Sequence, residues 1–195
     1  MQLDVVQYNS ADLRAHKILA DVLLLDTWSF ELKGGGPGRT IADFRCLWTE
    51  DLTDKAGFFV RSLFRIRKAV GNFFGWDERK DVDKGKSFIR LLPQELKELS
   101  LSKPGSDARI EPFWVLYETV NESLDEVINK TVHAFSCMQI EPTTDGYRVI
   151  WGIYVKPVGW FTDLYMAAIK PFRYLIVYPK IIRLLEAAWY EKYSA

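Results

Sequence analysis

The sequence holds only two cysteines and two histidines in 195 residues, and its charge is balanced. Cys46 and Cys137 stand far apart, and no metal cluster can be built from two cysteines and two histidines so dispersed. They read as two reduced core thiols, with a disulfide as the alternative. The 26 basic and 26 acidic residues cancel, which removes the global positive field of a nucleic-acid binder. No long apolar run exists either: Ile18–Leu25 is broken by Asp21 and is too short to cross a bilayer. The first ten residues lack a basic region followed by an apolar one, so no secretory leader is expected and the chain reads as cytoplasmic. Gly-x-Ser-x-Gly and Gly-x-Gly-x-x-Gly motifs are missing. The run Gly34-Gly35-Gly36-Pro37-Gly38 lacks the Lys-Ser/Thr ending of a phosphate loop and reads as a turn.

What the chain has in quantity is apolar and aromatic side chains. Hydrophobic residues make up 48%, including 7 Trp, 9 Tyr and 12 Phe. That is ample for one domain's core, with rings left over either to brace it or to line a cavity. Residues 1–19 are polar and loosely patterned and read as an arm, with the domain proper at 20–195. From Asp21 to Leu32 the chain alternates, placing Val22, Leu24, Trp28, Phe30 and Leu32 on one face of a strand. Thr40 is positioned to cap a short helix to Trp48 with Ile41, Phe44 and Leu47 on one side. A longer helix is expected over Asp54–Phe74, where Phe59, Leu63, Ile66, Val70 and Phe73 recur at helical spacing. Its Arg61, Arg65, Arg67 and Lys68 leave two readings open, solvated cations or a peripheral membrane contact through 58–76. A strand is expected at Ser87–Leu92, followed by an antiparallel meander of Phe113–Val120, Leu124–Thr131 and Tyr147–Val155, with Val132–Ile140 either continuing the second strand or following a bend. After Gly159 the pattern turns helical to about Tyr193, with Pro171 and Pro179 forcing a bend or break. The fold class is therefore α+β.

The segments Tyr154-Val155-Lys156-Pro157, Leu164-Tyr165-Met166 and Ile169 through Pro179 resemble the signature of an uncharacterised bacterial family, a domain of unknown function within the START-like helix-grip (SRPBCC) superfamily. Leu63–Arg67 with Gly75-Trp76, and Glu126 through His133, are also similar, so the resemblance covers about residues 20–190. It implies a curved antiparallel sheet wrapped around a long kinked C-terminal helix, with an apolar cavity between them. The Rossmann partner sometimes attached in that family is missing here, so no nicotinamide cofactor, and no cofactor of any kind, is expected.

The leading expectation is non-catalytic binding or carriage of a small apolar ligand, such as a lipid, isoprenoid or polyketide. Trp28, Phe30, Phe59, Leu63, His133, Phe135, Trp151, Tyr165 and Phe172 are its cavity candidates; Arg173 or Arg67 would hold an acidic head group at the cavity mouth, or equally lock helix to sheet through a carboxylate. Two alternatives stay open: a cyclase-like or hydrolytic enzyme, and an interaction domain whose core is filled by its own rings. The first would use His133 with a carboxylate, Glu118 or Glu126, set on strands that can pair across the 121–123 turn. The bland reading of those two carboxylates is a solvated pair or a salt bridge with Arg148. The inward face of Val132–Ile140 is left undecided, since both faces are largely apolar.

Overall fold

The computed structural model describes residues 1–48, 86–108, 113–128, 132–158 and 160–194, without the side chains of 160–165. The expected Asp54–Phe74 helix, with Phe59, Leu63, Arg67 and the 58–76 segment, lies outside the described residues, as does the Tyr165 side chain.

Five antiparallel strands make one sheet: β1 (Leu23–Lys33), β2 (Trp114–Glu118), β3 (Glu122–Ile128), β4 (His133–Thr143) and β5 (Gly146–Lys156). Their order is β1-β5-β4-β3-β2, so the meander runs from β2 to β5 and the first strand closes the sheet beside the last. One surface of the sheet, the helix face, carries Trp28, Phe30, Leu32, Met138, Ile140, Val149 and Trp151. It packs against α3 (Ile41–Arg45) and α6 (Tyr178–Tyr193). Tyr178, Ile181, Ile182, Leu185 and Trp189 on α6 recur every three or four residues, which is why one side of that helix is buried.

The opposite surface, the arm face, is covered by the chain's first residues. Helices α1 (Val5–Ser10) and α2 (Ala15–Ile18) bury Tyr8, Leu13, Ala15 and Leu19 against Leu124, Phe135, Cys137 and Tyr154. Gly152 makes this approach feasible, because a Cβ there would run into the Tyr8 ring. The stretch around Ser87–Leu92 joins the same layer, but as a single 3-10 turn at Phe88–Leu91 rather than a strand. The Ser87 hydroxyl accepts from Ile89 N (3.2 Å) and the Glu126 carboxylate accepts from Phe88 N (2.9 Å). These backbone donors are met locally, and the pull of the sheet ladder is removed. Helix α4 (Gln94–Leu99) follows and buries Leu96.

Strand β1 departs from simple alternation. Its register with β5 shifts between Leu24 and Asp26, a bulge with Leu25 as the extra residue. Trp28, Phe30 and Leu32 point to the helix face, whereas Val22 and Leu24 pack on the arm face. The expected common face for all five is therefore split. On β5 Tyr147, Val149, Trp151, Ile153 and Val155 do share the helix face.

The prolines of the C-terminal segment do not break it. Helix α5 (Trp160–Phe172) runs through Pro171 into a π turn at Arg173–Val177, and α6 continues with Pro179 in its first turn. Pro179 has no N–H for the Leu175 carbonyl, and its ring would crowd that carbonyl in an α-turn. Widening the turn by one residue relieves the crowding.

Helix α3 is short and depends on its ends. Thr40 Oγ1 accepts from Asp43 N (3.4 Å), and Asp43 Oδ2 accepts from Thr40 N (2.9 Å), a reciprocal capping box. Thr40→Ala is expected to lose about 1 kcal/mol of stability in urea unfolding. An unchanged midpoint would mean that burial of Ile41 and Phe44 alone holds the helix.

Candidate functional site

Cross-strand register places two unbroken rows of side chains on the helix face. The first runs Val115, Asp125, Ser136, Ile153, Asp26 across all five strands. Its neighbour runs Glu118, Ser123, Met138, Trp151, Trp28. A polar stripe thus crosses the floor beneath the helices, with a carboxylate on β3 and another on β1. Three strand spacings, about 14 Å, separate them.

At the β1 end, Asp26 is buried and takes three partners from the π-turn region. Tyr174 Oη donates at 2.5 Å, Tyr178 Oη donates at 2.8 Å, and Arg173 Nε lies 3.4 Å from Oδ2. Burial and the neighbouring carboxylate push the Tyr174 phenol up to about 12, and that of Tyr178 well above its ordinary range. Both stay protonated and serve as donors. The extra residue of the π turn brings Arg173 and Tyr174 to the same carboxylate that Tyr178 reaches one turn on. Trp28 packs against both phenols, with ring centroids 5.6 Å from Tyr174 and 4.9 Å from Tyr178.

At the β3 end, Arg45 reaches in from α3. That helix is tied to the β2–β3 turn by Ile41 N donating to Val120 O (2.8 Å). Arg45 Nη2 donates to Asp125 Oδ1 at 3.0 Å, and Nε lies 3.0 Å from Glu118 Oε2, an ion-pair distance without an aligned hydrogen bond. Burial is the main influence on Asp125 and outweighs the attraction of Arg45, with Glu118 adding a smaller push, so its carboxyl is raised to about 6.

Among the described residues, several buried polar atoms on this face have no hydrogen-bond partner. They include Arg45 Nη1, Asp125 Oδ2, Ser123 Oγ and the indole nitrogens of Trp28, Trp48 and Trp189. Trp48 stands edge-on to Trp151, with centroids 5.7 Å apart, while Trp151 Nε1 donates to Ser136 Oγ at 3.0 Å. Buried polar groups are nearly always paired, so this concentration sets the helix face apart from an ordinary apolar core.

The residues singled out from sequence divide between the two faces. Trp28, Phe30 and Trp151 lie on the helix face, as a cavity between sheet and helix requires. Arg173 meets Asp26, the helix-to-sheet lock through a carboxylate expected as the alternative to a place at the cavity mouth. Phe172 is 48% exposed and lines no interior. His133 and Phe135 point to the arm face, away from the C-terminal helix. There His133 Nε2 sits 2.7 Å from Glu126 Oε1, between the rings of Phe88 and Phe135. Glu118 and Glu126 do not face each other, since Glu118 pairs with Ser123 on the helix face and Glu126 turns to Ser87, Phe88 and His133. Arg148 pairs with neither of them but with Glu31 at 2.9 Å.

Sequence reasoning missed Asp26, Arg45, Ser123 and Asp125. The available signal was a run of polar residues, Glu122-Ser123-Leu124-Asp125-Glu126, inside an otherwise good strand. An open groove of about 690 Å³ lies elsewhere, at the β1 rim, lined by Leu3, Ile150, Glu31, Glu141, Arg148 and Glu186. Among the described residues no group of three or more His, Cys, Asp or Glu is placed to hold a metal ion, and no helix is long and apolar enough to cross a membrane.

Sheet, helices and stripe together define an α+β domain whose five-stranded antiparallel sheet buries a polar row under its C-terminal helix. The chain belongs to the DUF2867 family, described as a protein of unknown function, which matches residues 18–180. No curated protein matches it, and no solved structure does.

Proposed function

We propose that this domain is a START-like helix-grip binder of a small, largely apolar molecule, without catalysis of its own. The ligand lies on the helix face, its apolar body against Trp28, Trp48 and Trp151 and its polar atoms at the stripe. The observation that carries this reading is that most of the buried, unpartnered donors and acceptors among the described residues lie on that face. Apolar burial supplies affinity at about 25 cal/mol per Å², and the few polar anchors supply orientation.

Extraction of freshly purified protein with organic solvent, followed by mass spectrometry, is expected to release a near-stoichiometric apolar compound absent from a control protein. Trp28→Phe keeps an aromatic ring but deletes the unpartnered N–H with the pyrrole half of the indole, so the fold is expected to be retained while ligand retention drops about tenfold. A blank extract together with unchanged behaviour of Trp28→Phe would refute the binder.

A second reading rests on the His133–Glu126 pair, whose 2.7 Å contact is the geometry by which a carboxylate orients a catalytic imidazole. It requires His133→Ala to abolish turnover while leaving ligand binding intact. Glu126 also accepts from Ser87 Oγ (2.6 Å) and Phe88 N (2.9 Å), which favours a staple that fastens the 3-10 turn to the sheet.

A further inference from the structure

We infer that Arg45, Asp125 and Ser123 form a head-group subsite that takes an uncharged hydroxyl, in preference to an acid or an amine. This rests on the ligand-binding reading above and specifies the polar end of the ligand.

Each of the three buried groups still has a donor or acceptor to offer. Arg45 is held by two carboxylates, yet Nη1 has no acceptor. Asp125 uses Oδ1 on Arg45 and leaves Oδ2 without a donor. Ser123, two residues before Asp125 on the same face of β3, has a hydroxyl with no partner. All three side chains are essentially inaccessible to bulk water. The missing complement is one atom group that accepts from a guanidinium and donates to a carboxylate.

A hydroxyl does both. An ionised acid accepts from Arg45 but has nothing to donate to Asp125, and it would be a third carboxylate around one cation. An ammonium donates to Asp125 and Ser123 but has no lone pair for Arg45 Nη1, and it would bring a second cation beside it. Leaving either partner unmet in a buried site carries the full desolvation penalty, so the wrong head group is strongly disfavoured. An ether accepts without donating and satisfies half the subsite. The apolar remainder of the ligand runs from here toward Met138, Trp151 and Trp48, which continue the same face across β4 and β5.

The test is a tryptophan-fluorescence titration of the full chain with decanol, decanoate, decylamine and decyl methyl ether, each below its aggregation threshold. Decanol is expected to bind about tenfold more tightly than any of the other three. Ser123→Ala removes no existing hydrogen bond and folds normally, and it lowers decanol affinity a few-fold. Asp125→Asn keeps the shape and removes the charge, so the preference for decanol over decanoate collapses. Equal binding of all four probes, or tighter binding of decanoate or decylamine, overturns the subsite while leaving the binder standing. Failure of every probe to bind, alongside a blank extract, removes the binder itself and the subsite with it.

Discussion

Replacing Glu122 by alanine is expected to cost about 3–5 kcal/mol of folding stability and to release the N-terminal arm from the sheet. Glu122 is fully buried on the arm face of β3. Its Oε2 accepts from Arg14 N (3.1 Å) and Arg14 Nη1 (3.2 Å), and its Oε1 accepts from Ala15 N (3.1 Å) and Tyr117 Oη (2.6 Å). The two amides belong to the start of α2, so a carboxylate on the sheet acts as the cap of a helix over a hundred residues away. Alanine leaves those amides and a buried phenol without an acceptor and opens a void beneath them. Glu122→Gln keeps one acceptor but turns an amide N–H toward Arg14, so an intermediate loss is expected. Urea unfolding measures the energy, and limited trypsin digestion at Arg14 and Lys17 reports release of the arm. A loss under about 1 kcal/mol with an intact arm would show that packing of Tyr8 and Leu13 suffices.

The second large effect depends on pH. The Asp125 carboxyl is raised from its ordinary 3.8 to about 6, chiefly by burial. Between those values the folded chain holds a proton that the unfolded chain releases. The stability associated with this group is therefore complete below about pH 4 and is lost as pH rises through about 6. Arg45 opposes the rise and Glu118 reinforces it, and both belong to the same buried cluster. A carboxyl displaced this far from its unfolded value changes stability by about 3 kcal/mol. Asp125→Asn removes the titration, so its stability relative to the parent is expected to rise by about that amount between pH 4 and pH 7. Urea unfolding of both proteins at the two pH values checks this. A difference independent of pH would mean that Asp125 stays ionised throughout.

The strands were legible because most have one apolar face or two, and a period of two is hard to mistake. Strand β5 shows this best, with every odd residue from Tyr147 to Val155 on the helix face. What escaped the sequence were places where polar groups satisfy one another across space. Strand β3 buries Glu122, Ser123, Asp125 and Glu126, and the three carboxylates find hydrogen-bond partners in α2, α3 and the 3-10 turn. Nothing in the local pattern of residues 122–128 announces those partners, so the stripe could not be read from it. The arm was misleading in the same way, since its polar composition hides Tyr8, a fully buried ring that needs Gly152 beneath it. The bulge at Leu24 to Asp26 follows the same logic, because one extra residue reverses the facing of everything before it. The long C-terminal helix was plain from its stripe, but its π turn depends on two prolines spaced eight residues apart and on Asp26 opposite them.

Placing the first strand beside the last has a consequence for how the chain comes into being. While the protein is being synthesised, β1 emerges long before β5, the strand with which it forms its ladder among the described residues. Until then Trp28, Phe30 and Leu32 have no sheet to join, and they stay unsatisfied through most of translation. The meander from β2 to β5 is local and can assemble as it appears, whereas capture of β1 must close a loop of more than a hundred residues. The helix face is completed only when α6, the last of the described elements, has been made. Nascent chains of this domain are therefore expected to carry an aromatic strand without its ladder partner until β5 is made, an exposure that invites aggregation.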